Sequence, residues 1–200
     1  LCDVDISRLS CVKRDPNKMW SFIRSIARNS ATLVDNKTLE QDVKAIDKNE
    51  LSRNSITDYL DALLRLMVLY EQPAFNPHIR SSASMRKSPK RHLCDTSLAV
   101  AALGLDQDSL FKNIQYTGFL FESLVIHELN VYAKANDAMV FHYNDSYGNE
   151  VDAIVQKRNG EYAAFEIKLG VGYIEEAASN LKKFADSIDS SKMELPKSLN

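Results

Sequence analysis

Four ionisable residues in the second half of the chain stand among apolar neighbours. Glu122 lies on one helical face with Val125, Ile126, Leu129, Tyr132 and Ala133, which follow it by three, four, seven, ten and eleven positions. Asp152 interrupts the run VDAIV (151–155), directly after a turn-forming cluster. Glu166 and Lys168 alternate with Phe165, Ile167 and Leu169, which puts both on one face of an extended segment. An ionised carboxylate on an apolar face costs several kcal/mol unless a cation or strong donors meet it. The order carboxylate, carboxylate, carboxylate-x-lysine suits metal-dependent phosphodiester hydrolysis. Asp152, Glu166 and the Ile167 carbonyl between them and Lys168 offer hard oxygens to Mg²⁺ or Mn²⁺. Such a metal polarises a phosphate and acidifies its bound water, and Lys168 offsets the charge of the transition state. Glu122 orients Lys168 or holds a second ion. Glu122, Asp152, Glu166 and Lys168 are thus the expected catalytic residues, and Asp152, Glu166 and Ile167 the expected metal ligands. The alternatives are an ion pair on one strand face for Glu166 and Lys168, and a stripe-edge acid reaching solvent for Glu122.

A second constellation is electrostatic. No acid occurs from Gln72 to Cys94, whereas Arg80, Arg86, Lys87, Lys90 and Arg91 supply five positive charges. These five are the expected nucleic-acid contacts, through phosphate. The competing reading is a solvated basic linker.

The elements that must position these residues are legible as pattern. Met19, Trp20, Phe22, Ile23, Ile26 and Ala27 are expected to share a helical face after the start signal Asp15-Pro16. Further helices are expected over 38–45 and 52–67, followed by a short strand over 68–72. Pro73 and Pro77 break that strand, and 79–86 is its expected partner. Three helices and a hairpin over the first ninety residues or so is the layout of a winged helix. A second unit starts near residue 91. It holds a helix over 97–103 ended by Gly104, a long helix over 119–135 preceded by Gly118, and strands over 139–143, 150–157 and 162–169. A last helix over 174–188 is expected to turn Ala178, Leu181, Ala185 and Ile188 inward. The fold class is α/β, α+β overall: a helical region over 1–90, then a sheet flanked by helices over 91–200.

Composition sets the outer bounds. The 200 residues are 44% apolar and 26% charged, with a net charge of −2, which argues against wholesale disorder and against a uniformly basic nucleic-acid binder. No apolar run reaches the ~20 residues of a membrane span, so no membrane partner is expected. Cys2, Cys11 and Cys94 are scattered without CxxC spacing, which favours a reducing cytoplasm over a disulfide scaffold.

The stretches KRHLCDTSLAVAALGL, GFLFESLVIHEL, GNEVDAIV and FEIKLG together resemble a domain of unknown function found after an AAA+ ATPase domain in prokaryotic ATP-binding proteins. Glu122, Asp152 and Glu166-Ile-Lys168 look like the PD-(D/E)XK signature of restriction-endonuclease-like nucleases. Upstream, RDPNKMWSFIRSIARNSATLV, ITDYLDALLRLMVLYEQPAF and RSSASMRKSPKRH resemble the helical and winged-helix region that joins the ATPase to that domain. The resemblance implies a restriction-endonuclease-like core truncated at its C-terminus, and a missing N-terminal ATPase that would be both its partner and the place where ATP binds. In keeping with this, none of the six glycines opens a GxxxxGK[ST] loop. The expected function is nuclease action on DNA or RNA; the alternative is a non-catalytic nucleic-acid- or protein-binding module regulated by that ATPase. The fold is compatible with either.

Overall fold

Asp15 opens the first helix as its position before Pro16 demands. In the computed structural model, which describes residues 2, 14–47, 51–76, 88–145 and 148–200, its carboxylate accepts the N–H groups of Asn17 and Lys18. Two donors at the helix start are thereby satisfied. This helix, α1 (Pro16–Arg28), buries Met19, Phe22, Ile23 and Ile26. Helix α2 (Asn36–Asp47) follows, then α3 (Arg53–Arg65), capped by Ser52. The two-stranded sheet pairs β1 (Leu69–Gln72) with β2 (Lys90–Leu93). Helix α4 (Thr96–Leu103) is capped by Asp95 and ends at Gly104, whose φ of 63° is the left-handed conformation that glycine adopts without a Cβ clash. Helices α5 (Gln107–Lys112) and α6 (Ile114–Ala135) complete the first half.

The chain divides into two compact units, Leu1–Glu71 with Lys90–Ser123, and Gln72–Pro89 with Leu124–Asn200. The first is helical, and its core gathers Phe22, Leu39, Ile56, Leu63 and Leu93, all almost fully buried. Each such side chain contributes roughly 1.5–3 kcal/mol by burial. The second unit is built on a four-stranded sheet in the order β3 (Ala138–Asn144), β4 (Glu150–Lys157), β5 (Tyr162–Phe165), β6 (Ser198–Leu199). The first three strands form an antiparallel meander, and β6 runs parallel to β5. Helix α7 (Ile174–Ser187) packs on this sheet through Leu181 and Phe184. The mixed α+β class is the one the sequence implies. Among the described residues no helix is long and apolar enough to cross a membrane.

Several elements differ from the pattern reading. The partner of β1 is Lys90–Leu93, where the sequence shows only basic residues and a unit boundary; the expected partner, 79–86, lies outside the described residues. The two compact units are not separated by one cut in the sequence: β2 and the first part of α6 group with the N-terminal helices. Gly118 lies inside α6 rather than before it; one interior glycine costs a helix only about 1 kcal/mol, which the rest of a long helix absorbs. Strand β5 stops at Phe165, four residues short of expectation. Ala178 is exposed, whereas Leu181 and Phe184 of α7 and Ile188 just beyond it are buried in the core. Strand β6 has no sequence signature, being two residues of polar and apolar character held by main-chain bonds to β5: the Lys197 N–H donates to the Tyr162 carbonyl at 2.8 Å and the Asn200 N–H to that of Ala164 at 2.9 Å.

Candidate active site

The β4–β5 register sets the first two acids opposite each other. Ala153 pairs with Phe165; one step further along both chains come Asp152, in β4, and Glu166, immediately beyond β5. Glu166 is held there because its N–H donates to the Asn200 carbonyl at 3.0 Å. The next main-chain group turns inward, and the Ile167 N–H donates to Asp152 Oδ2 at 2.8 Å. Lys168 then reaches back, its Nζ 3.0 Å from Glu166 Oε1 and 3.5 Å from Asp152 Oδ2. The Asp152 main chain is pinned from behind by Gln72, fully buried, whose Nε2 donates to the Asp152 carbonyl at 2.8 Å and to the Phe141 carbonyl at 3.0 Å.

The electrostatics of the cluster do not balance on Glu166. Its side chain is 3% exposed. Oε1 accepts from Lys168 and, at 3.2 Å, from Asn180 Nδ2, whereas Oε2 is buried with no hydrogen-bond partner among the described residues. Burial, then repulsion by Asp152, pushes the Glu166 carboxyl above its ordinary range, against the pull of Lys168 and Asn180. Burial pulls the Lys168 ammonium the other way, but Asp152 and Glu166 together outweigh it and hold the proton more tightly than usual. Lys168 therefore stays charged, and it does not fully compensate the acids around it.

Asp152, Glu166 and Lys168 line a polar cleft of about 300 Å³, together with Glu150, Glu176 and Lys183. Four carboxylates thus face two ammonium groups. Among the described residues no three of His, Cys, Asp and Glu stand in a metal-holding group, so a cation here would rely on two acids plus main-chain oxygen or water. An orphaned, buried carboxylate oxygen beside a second acid fits a hard divalent ion.

The structure thus brings Asp152, Glu166 and Lys168 together and gives Glu122 a different partner. Glu122 Oε1 accepts from Lys90 Nζ at 2.9 Å, with side-chain exposures of 9% and 3%. The cation that makes its burial tolerable comes from β2, not from the Glu166-x-Lys168 motif. Lys90 and Arg91, expected to contact phosphate, are both buried. Arg91 donates to Glu71 Oε1 at 2.9 Å, to the Val34 carbonyl at 3.0 Å and to Asn36 Oδ1 at 3.2 Å, which ties β2 into the helical unit. Arg80, Arg86 and Lys87 lie outside the described residues. Sequence reasoning missed Asn180 and Gln72. The spacing Glu176, Asn180, Lys183 is four and three, one polar face of a helix, and would have pointed to Asn180. Gln72 at the end of an extended segment carries no such signal.

Residues 1–109, more than half of the chain, match the family model of a domain of unknown function, DUF8612. The chain belongs to the DUF8612 family. Residues 117–197 match a second domain of unknown function, DUF4143. No curated protein and no solved structure matches the chain. The matched DUF4143 region holds Asp152, Glu166, Lys168 and Asn180, while Lys90, Arg91 and Gln72 fall in the DUF8612 region. The Lys90–Glu122 ion pair joins a residue of one matched region to a residue of the other.

Proposed function

We propose that this DUF8612 chain is the C-terminal portion of an AAA+ ATP-binding protein of the cytoplasm, and that its sheet unit is a restriction-endonuclease-like, Mg²⁺- or Mn²⁺-dependent phosphodiesterase acting on DNA or RNA. The observation that carries the reading is Glu166: a buried carboxylate, one oxygen of which has no partner among the described residues, lining a polar cleft beside Asp152 and Lys168. DUF4143 typically occurs in AAA-ATPase-associated proteins, which supports the ATPase partner and the location of ATP on that partner domain. Three helices followed by the small β1–β2 sheet support a winged-helix reading of the N-terminal region.

In this reading Asp152 and Glu166 hold the divalent ion, which when bound supplies an acidified water and polarises the phosphate. Lys168, kept protonated by the two acids, donates to the phosphoryl oxygens as they gain charge. Asn180 and the Ile167 N–H fix the carboxylates, so that little rearrangement is needed when substrate arrives.

One observation favours a second reading. The Lys168 ammonium already stands between the two acids, and a cluster with a built-in cation can serve as a non-catalytic nucleic-acid- or protein-binding module governed by the ATPase. Calorimetric titration of Mg²⁺ and Mn²⁺ into the chain and into Asp152→Ala, alongside turnover of labelled DNA and RNA, separates the two. Saturable metal binding and cutting, both lost in Asp152→Ala, are expected. Neither metal binding nor cutting in the wild-type chain, or in the chain joined to its ATPase with ATP, overturns the nuclease in favour of the module.

A further inference from the structure

Glu166 and Lys168 line a second cleft as well as the polar one. It is about 390 Å³, at the lower end of the ~300–1,000 Å³ of small-ligand sites, and its walls are Ile174, Ala177, Ala178, Leu181 and Leu199 with Lys182 beside them. Ala178 and Ile174 are exposed apolar positions. Ala178 belongs to the face of α7 that amphipathic patterning assigns to the core. The two clefts therefore meet at Glu166 and Lys168: four acids and two lysines on one side, aliphatic walls on the other. Glu166 is the independent pointer to an occupant, since its almost fully buried side chain, in the wall common to both, keeps one oxygen without a partner among the described residues.

An occupant of both clefts must join a charged, metal-binding group to a compact apolar one within a few bonds. A nucleotide does so, with phosphate and base on adjoining parts of one sugar. Lys182 and Lys183, consecutive and exposed, stand one at each cleft, where they can follow a phosphate backbone. We infer that the aliphatic cleft takes the nucleobase next to the scissile phosphate, and that the substrate is therefore single-stranded DNA or RNA rather than intact duplex. This rests on the phosphodiesterase reading for the position of the scissile phosphate. The physical reason is that a base seated between apolar side chains has left its stack and its pairing partner, which is cheap only in a single strand or at a damaged position.

The test uses the whole chain and binding as well as cutting. Labelled single strands of DNA and of RNA, and the duplexes of the same sequence, are titrated by fluorescence anisotropy against the wild type, Ala178→Leu and Ala178→Ser. The leucine fills the cleft from an exposed helical position that leaves the core untouched, and the serine keeps its volume. Single strands of at least one sugar type are expected to bind about tenfold or more tightly than duplex. Ala178→Leu should erase that preference, and Ala178→Ser should keep it, with unchanged circular dichroism in both. Equal affinity for single strand and duplex overturns the inference, as does absence of binding or a preference that survives Ala178→Leu. If the preference follows Ala178 but nothing is cut with Mg²⁺ or Mn²⁺, the nuclease reading fails and the base cleft stands. If duplex is cut as fast as single strand, the cleft fails and the nuclease stands.

Discussion

Both units bury charge, and they do so in opposite ways. In the helical unit each buried cation meets its own acid: Lys90 with Glu122 at 2.9 Å, and Arg91 with Glu71 at 2.9 Å, the guanidinium also donating to Val34 and Asn36. In the sheet unit Lys168 bridges two acids, and Glu166 is left with a buried oxygen that no described residue meets. The first arrangement is closed, since neither partner has reason to bind anything further. The second lies at the floor of a polar cleft and is relieved by a cation or donor from outside. Buried charge alone is thus a poor marker of chemistry; what separates the two regions is whether the local account of charges and hydrogen bonds closes.

The largest effect expected from this contrast is on stability, at the closed pair. Glu122→Ala leaves the Lys90 ammonium buried without its acid and should cost about 3–5 kcal/mol in urea unfolding. The double change Lys90→Met with Glu122→Leu should recover most of that loss, because neither charge then needs compensation. A loss below about 1 kcal/mol in the single variant, in the range of exposed ion pairs, would show that the pair is not closed in solution.

At the open cluster the same kind of truncation should read out in turnover. Lys168→Ala is expected to slow cutting by about 10²–10³ while leaving divalent-ion binding intact or tighter, since a like charge has gone. A chain that cuts normally without Lys168, or that loses metal binding with it, would assign Lys168 to holding the acids together and nothing more.

A pH series sharpens the contrast further. The Glu166 carboxyl is raised chiefly by burial and then by Asp152, so the folded protein binds its proton more readily than the unfolded chain does. Its ionisation therefore works against folding: the penalty is complete above the raised folded value and is relieved as pH falls through it toward the ordinary glutamate range. Divalent-ion affinity should follow the opposite course, weakening as pH falls through that same window because the ligand is being protonated. Glu166→Gln should flatten both curves. An ion affinity that stays level until the ordinary glutamate range would remove Glu166 from the ligand set.

The smallest effect concerns the support of that ligand. Asn180→Ala removes a donor that pulls the Glu166 carboxyl down, so the pH at which ion binding weakens should move upward, by an amount equivalent to about 1 kcal/mol. An unmoved midpoint would mean that the 3.2 Å contact does not persist once the ion is bound.

Much of this was written along the chain. Asp15-Pro16, Ser52 and Gly104 mark helix ends by backbone chemistry that acts over a few residues, and β4 follows its apolar run over the residues its pattern implies. The placing of Glu166 and Lys168 on one side is equally local, because two-residue alternation in extended chain requires nothing distant. Asp152 beside them depended on the hairpin register, which a short turn at Asn159-Gly160 fixes. The partner of Glu122 was not local. From sequence, a carboxylate on an apolar face asks for a cation without saying which, and Lys90, thirty-two residues away, was hidden in a basic run that reads as phosphate contacts or solvated linker. Strand β6 and Gln72 were invisible for a related reason: β6 pairs through main-chain groups and the Gln72 side chain binds main-chain carbonyls, and no side-chain pattern records such partners. Sequence by itself determined most of the helices, the first three strands of the sheet and the side chains of the candidate site, since those follow from periodicity and short-range sterics. Only the tertiary structure decided which buried charge is matched and which is left open, because that depends on the distances at which residues far apart in the chain come to rest.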